Sequence, residues 1–294
     1  MTPFAIAGIQ MHIGAHKNID AMVHRVDLLM HLYPWVQMVM FSELAPFGPT
    51  LPHAQKLPGP AEETFQETAA KHGIWLLPGS MFERRDGMIY NTASVIDPEG
   101  GIVGRYSKIF PFEPYEEGVE CGNEFLVFDV DSIGRFGVSI CYDMWLPETS
   151  RTLTAMGAEV MLHPVLTHTP DRDIDLAIAQ ATAAMFQCYV VDINGLGAGG
   201  NGRSTVFDPS GRILYQADTN EQMIPLEIDI DQVRRQRQRG IRGLGQPLKS
   251  FRDRKLDLTV YDRERWDDSY LQSLGALEKP KREPVPTTRK RQTA

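Results

Sequence analysis

Short, nearly continuous apolar runs alternate along this chain with longer segments whose apolar residues recur at helical spacing, a pattern that predicts strands interleaved with helices. Phe4–Gln10 reads as a buried strand. Asn18 or Asp20 then caps a helix that carries Met22, Val26, Leu29 and Met30 on one face. Val36–Phe41 is a second strand, followed by a Pro- and Gly-rich loop over Pro46–Pro60, an amphipathic helix over Glu62–His72 and a third strand over Ile74–Pro78.

From Met88 the spacing changes to strands joined by turns: Asn91–Ile96 and Ile102–Tyr106 flank Asp97-Pro98-Glu99-Gly100-Gly101, a hairpin. Phe125–Val130 and Phe136–Ile140 are further strands, and Pro147 suits the first turn of a helix over Pro147–Met156. The second half repeats the style, with strand Val160–His163, a long helix Asp173–Gln187, strand Tyr189–Ile193 and another hairpin around Asp208-Pro209-Ser210-Gly211. The shared Asp-Pro-x-Gly turn suggests two pseudo-symmetric halves. A strand over Met223–Ile230 and a short basic helix follow. Such a mixture predicts a layered α/β sandwich of mixed sheets flanked by helices, one domain over residues 1–278, and a Pro-, Lys- and Arg-rich disordered tail over 279–294.

Composition narrows the function classes. The 294 residues are 42% hydrophobic and 23% charged, with a net charge of -8 that argues against an electrostatic grip on nucleic acid or anionic membrane. No run of ~18 apolar residues occurs, the level a membrane helix needs. The first residues carry no basic leader before their short apolar stretch, so a cytoplasmic address is expected. Three cysteines, Cys121, Cys141 and Cys188, lack the paired spacing of a disulfide framework or a thiolate zinc site. Histidines are eight, His12 with His16 and His163 with His168 among them, but no acidic or cysteine partner stands beside them at ligand spacing, so neither metal nor cofactor is expected. The run Arg234-Arg235-Gln236-Arg237-Gln238-Arg239 reads as a solvated helix or subunit contact. A small-molecule partner fits best.

Three positions draw attention because each ends an apolar strand. Cys141 lies where Phe136–Ile140 gives way to a polar loop; a free thiol there is ordinarily a small core hydrophobe, and it needs a nearby base or cation to act as a nucleophile. Glu43 follows Val36–Phe41, and Lys108 follows Ile102–Tyr106. Alone, each is unremarkable. Together they supply a carboxylate, an ammonium and a thiol from three strand ends.

In this respect the chain resembles the nitrilase superfamily of carbon-nitrogen hydrolases over roughly residues 4–230. Phe-Ser-Glu43 with a following proline, Gly-Arg-Tyr-Ser-Lys108 with Pro111, and Gly-Val-Ser-Ile-Cys141-Tyr-Asp with Pro147, Glu148 and Arg151 match that family's three signatures in order. The resemblance implies a Glu43-Lys108-Cys141 triad with a second glutamate after the lysine, at Glu116 or at neighbouring Glu117 or Glu113. It also implies a four-layer αββα sandwich of two mixed β-sheets flanked by helices, assembled as a homodimer or a higher oligomer. The expected chemistry is hydrolysis of a small carboxamide through a cysteine thioester, with Lys108 and the backbone N–H of Tyr142 stabilising the oxyanion. Tyr142, Trp145 and Phe112 are candidates for the wall of the acyl pocket.

Ser107 and Phe110 depart from the family pattern, in which Arg often precedes the lysine and His follows two residues later; that bears on substrate more than on chemistry. Tyr142-Asp143 after the cysteine favours amides over nitriles, whose hydrolases tend to carry Trp-Glu there. Carbamoyl hydrolysis and a non-catalytic scaffold of the same fold are the remaining alternatives; the scaffold is expected to lack a triad member, and this chain has all three.

Overall fold

A computed structural model describes residues 1–281. It divides into two units: Met1–Pro111 with Gly118–Lys255, and Phe112–Glu117 with the chain from Leu256 onward. From residue 282 the expected basic tail lies outside the described residues.

Among the described residues the larger unit contains two main sheets. In the first, Pro3–Gln10, Met38–Phe41 and Trp75–Leu77 run parallel, and Gln222–Asp229 pairs antiparallel with Pro3–Gln10 at the edge. Beyond Trp75–Leu77 come Met88–Ile96 and its two antiparallel neighbours, Met81–Arg85 and Ile102–Ser107. In the second sheet Gly134–Val138, Val160–Val165 and Tyr189–Asn194 run parallel, flanked by antiparallel Leu126–Val130 on one side and the hairpin Thr205–Phe207/Ile213–Gln216 on the other. Each sheet thus places a parallel trio beside an antiparallel hairpin, the topological form of the pseudo-symmetry that the repeated turn suggests. The turns share their chemistry as well. Asp97 Oδ1 accepts from the N–H groups of Glu99 and Gly101, Asp208 Oδ1 from those of Ser210 and Arg212, and Gly100 and Gly211 take the left-handed φ of 85° and 77° that the reversal requires.

Side-chain alternation explains why the strands are apolar on both faces. Phe4, Ile6, Met38 and Met40 of the first sheet meet Val138, Val160, Leu162, Val191 and Ile193 of the second in one core between the sheets. The intervening residues Ala7, Ile9, Val39 and Phe41 face outward, where Met22, Val26 and Leu29 of helix Ile19–Leu32 and Phe65 and Ala69 of helix Pro60–His72 cover them. On the opposite side Met161 and Val190 pack under Leu153 of helix Pro147–Ala155 and Ala179, Ala183 and Phe186 of helix Arg172–Phe186. Four layers result, helix, sheet, sheet and helix, as expected.

Local signals set the helix ends. Pro60 opens its helix with Glu62 and Glu63 in the first turn, and Gly73 closes it in the left-handed conformation. The basic helix Ile230–Arg239 is less solvated than its sequence suggests: Arg237 donates to the carbonyls of Gln187 and Ala158, while Arg234 pairs with Glu159. Where a continuous loop is expected after Cys141, the chain instead forms a 3₁₀ turn over Cys141–Trp145 before the helix.

In the smaller unit the 3₁₀ turn Thr259–Tyr261 and the short helix Ser269–Gln272 leave large apolar side chains exposed, Leu274 at 66% and Leu277 at 69%. Among the described residues no helix is long and apolar enough to cross a membrane.

Candidate active site

Strand ends deliver the three expected groups within the larger unit. Glu43 follows Met38–Phe41, Lys108 follows Ile102–Ser107 and Cys141 lies just past Gly134–Val138. The N–H of Glu43 donates to the carbonyl of Val165, at 3.2 Å, which ties the end of a first-sheet strand to the end of a second-sheet strand. Behind it Gly79 allows a close backbone approach: a Cβ there would lie 1.9 Å from the carbonyl oxygen of Ser42. Ser80 Oγ then accepts from the N–H of Leu44, fixing the loop that presents Glu43.

Lys108 Nζ donates to Glu43 Oε1 at 2.9 Å, and Asn91 Nδ2 donates to the same oxygen at 2.8 Å. Both members of the ion pair are buried, Lys108 at 1% and Glu43 at 2% exposure. A pair so far from water persists only with good geometry and additional hydrogen bonds, which Asn91 contributes. Asn91 comes from the strand Met88–Ile96, which also carries the polar residues Thr92 and Ser94, so nothing in the pattern sets Asn91 apart.

Cys141 is half-buried and adopts φ 47°, a left-handed conformation that is uncommon for a non-glycine residue. Such a conformation costs of order 1–3 kcal/mol and persists only where the surroundings hold it. Its Sγ lies 3.9 Å from the carbonyl oxygen of Leu166. Burial pushes the thiol well above its ordinary pKa, the Glu43 carboxylate pushes further, and the Lys108 ammonium pulls it back. Asp175 adds a smaller upward push.

Two carboxylates brace this turn, Asp143 of the cysteine motif and Asp175, which the sequence did not single out. Asp143 is fully buried and accepts four hydrogen bonds: at Oδ2 from the N–H of Ile140 and the hydroxyl of Tyr106, and at Oδ1 from the N–H groups of Ile109 and Phe110. Burial raises its pKa to about 6 against the pull of these donors and of Lys108. Asp175 accepts from the indole N–H of Trp145 at 2.8 Å and from the Thr167 hydroxyl at 2.6 Å. Thr167 is locked in turn, its N–H donating to Asn194 Oδ1 and its carbonyl accepting from Asn194 Nδ2. Nothing in the spacing of Asp175 or Asn194 along the chain marks this contact.

Tyr142 and Trp145 belong to the nucleophile's own turn, their rings 5.6 Å apart, and the indole N–H is committed to Asp175. Phe112 and Glu116 belong to the smaller unit. There the Phe112 ring stacks on Tyr115 with centroids 5.0 Å apart, and Glu116 Oε2 accepts from the N–H of Phe112. Glu113 and Glu117 are on the same short segment. Cys188 is a buried core residue and Cys121 is exposed. Among the described residues no cluster of three histidine, cysteine or acidic side chains has the arrangement of a metal site.

Comparison with known proteins agrees with the architecture. The model of the carbon-nitrogen hydrolase family matches residues 5–238, and the chain belongs to that family. It is 32% identical over 178 residues to the 2-oxoglutaramate amidase of Bacillus subtilis, covering 58% of this chain and 68% of that protein. It is 26% identical over 294 residues to the human omega-amidase NIT2, covering 90% of this chain and 100% of that one. Among solved structures it shares the fold of Saccharomyces cerevisiae Nit3, a member of the nitrilase superfamily, with a TM-score of 0.74 and 23% identity over 81% of this chain and 94% of that chain.

Proposed function

We propose that Cys141, Glu43 and Lys108 are the catalytic groups of an amidase that converts a small carboxamide to a carboxylate and ammonia. The observation that carries this reading is the buried Lys108–Glu43 pair, 2.9 Å apart, acting electrostatically on the Cys141 thiol. Burial pushes that thiol upward, which disfavours a preformed thiolate as the attacking species. Glu43 instead removes the proton as sulfur attacks the amide carbonyl, a general-base step. Negative charge then collects on the carbonyl oxygen, where the Lys108 ammonium and the N–H of Tyr142 receive it; losing one such donor typically costs about 3 kcal/mol of barrier stabilisation. The protonated Glu43 passes its proton to the leaving nitrogen and ammonia departs, leaving an acyl thioester on Cys141. Glu43 next takes a proton from water as the water oxygen attacks the thioester carbonyl; the C–S bond then breaks, Glu43 returns the proton to sulfur, and the acid product ionises to the carboxylate.

Glu116 is in this reading the family's second glutamate, an assignment that rests on the resemblance alone, and Tyr142 and Trp145, on the nucleophile's own turn, wall the acyl pocket. The substrate class favoured is a short ω-amide, because the Bacillus subtilis and human relatives are named for 2-oxoglutaramate and ω-amide hydrolysis. A cytoplasmic setting accords with three free cysteines. A homodimer accords with Met156, Ile174 and Met185, apolar side chains exposed on and beside the outer helices. The test is ammonia release from a panel of short aliphatic amides, ω-amides, carbamoyl amino acids and nitriles. Turnover of ω-amides alone or foremost supports the proposal; turnover confined to nitriles or carbamoyl compounds contradicts it.

A further inference from the structure

The catalytic reading requires a thiol on one sheet and an ammonium on the other to hold a fixed separation, although among the described residues no strand of one sheet pairs with a strand of the other. One side chain spans the two segments that carry them. Asp143 stands two residues after Cys141 in the nucleophile turn, and its Oδ2 accepts from the N–H of Ile140, immediately before Cys141, at 2.9 Å. Its Oδ1 accepts from the N–H groups of Ile109 and Phe110, immediately after Lys108, at 3.1 and 2.8 Å. Tyr106, two residues before Lys108 on strand Ile102–Ser107, completes the set by donating its hydroxyl to Oδ2 at 2.7 Å.

We propose that Asp143 is a positioning residue that sets Cys141 against Lys108 by gripping the backbone just before Cys141 and just after Lys108, together with the Tyr106 hydroxyl on the strand leading to Lys108. The proposal rests on the catalytic reading above. Chemistry makes a carboxylate the fitting group. It offers only acceptors, so it takes four converging donors at once, whereas an amide must direct two hydrogens at some of them. Burial makes these charge-assisted bonds stiff, and a buried donor left without an acceptor is costly, so the grip resists rearrangement. It also accounts for the left-handed φ of Cys141: the strained residue is held from the N–H before it and from the side chain two residues after it.

Because the carboxylate accepts from four protein donors, none of them a catalytic side chain, its loss should misplace catalytic groups without removing any. The experiment measures kcat, KM and thermal midpoint for Asp143→Asn, Asp143→Glu and Tyr106→Phe, using the best substrate of the amide panel. Cys141→Ala serves as the control for the catalytic reading itself. A misplacement of about 1 Å costs on the order of 100-fold in rate. Asp143→Asn is expected to lose kcat on that scale with KM within about threefold. Asp143→Glu keeps charge and acceptors but lengthens the reach, so it is expected to fail likewise, whereas Tyr106→Phe, which removes one donor of four, is expected to lose between about threefold and tenfold. A kcat in Asp143→Asn or Asp143→Glu within about threefold of wild type overturns the proposal, as does a Tyr106→Phe kcat equal to wild type when the aspartate variants do not fold. A loss confined to KM overturns it too. Undiminished turnover in Cys141→Ala is a different failure, since it removes the catalytic reading.

Discussion

Lys108 and Glu43 share a hydrogen bond of 2.9 Å in a region sealed from water, and Asn91 donates to the same carboxylate oxygen. These bonds fix the orientation of the carboxylate, as the proposed general-base role requires.

Replacing Glu43 by Gln should therefore preserve the shape of the site while removing the base. The expected outcome is a loss of at least about 100-fold in kcat, in line with the usual worth of general-base catalysis. Rates of ammonia release check it. Glu43→Ala should in addition lower stability by about 3–5 kcal/mol, because it breaks a buried ion pair. Urea unfolding of the two variants separates these effects.

Asp175 offers a prediction about pH. Its charge, with that of Glu43, adds to burial in pushing the Cys141 thiol upward. Asp175→Asn removes the charge while keeping an acceptor for one of its two donors, so the thiol should ionise at lower pH. The pH profile of Cys141 alkylation by iodoacetamide is expected to shift toward acid in this variant. An unchanged profile would show that Asp175 acts only through Trp145 and Thr167.

His163 should make the fold acid-sensitive. Burial lowers its pKa from the ordinary 6.5 to about 3, with its Nδ1 2.9 Å from Ser139 Oγ and the charges of Asp175, Arg172 and Lys108 acting on it more weakly. Between those two values the unfolded chain binds a proton that the folded chain refuses, so stability falls as pH drops below 6.5. Asp143, raised to about 6, works in the opposite direction over part of the same range. His163→Gln should accordingly show a smaller drop in urea midpoint between neutral pH and about pH 4.5 than wild type.

Arg172 and Asp192 form a second buried pair, closed by the carbonyls of Gly202 and Arg203 at 3.3 and 2.9 Å. Asp192→Ala leaves a guanidinium uncompensated and should cost roughly 3–5 kcal/mol, whereas replacing both residues by apolar ones should cost less than the sum of the single changes. Denaturant unfolding of the double-mutant cycle checks this.

Much of this architecture was legible in the order of residues. Phe4–Gln10 and Tyr189–Asn194 are buried on both faces, so their apolar runs announced interior strands, and Asp97 and Asp208 announced the hairpins through turn chemistry local to a few residues. Glu43, Lys108 and Cys141 were legible because each terminates a strand inside a dense motif. Asp175 was not, since its partners Trp145 and Thr167 come from other elements and a helix-face aspartate ordinarily meets water. Asp143 stood inside a quoted motif, but its grip on Ile109 and Phe110 depends on how two sheets stack, which spacing along one chain does not encode.

The central claim is that an acyl group passes through Cys141. Intact-protein and peptide mass spectrometry of enzyme quenched in acid during turnover of a short ω-amide tests it most directly. The account predicts an added acyl mass on the peptide bearing Cys141, and neither adduct nor ammonia from Cys141→Ala. An adduct on another residue, or ammonia released at the wild-type rate by Cys141→Ala, would contradict it.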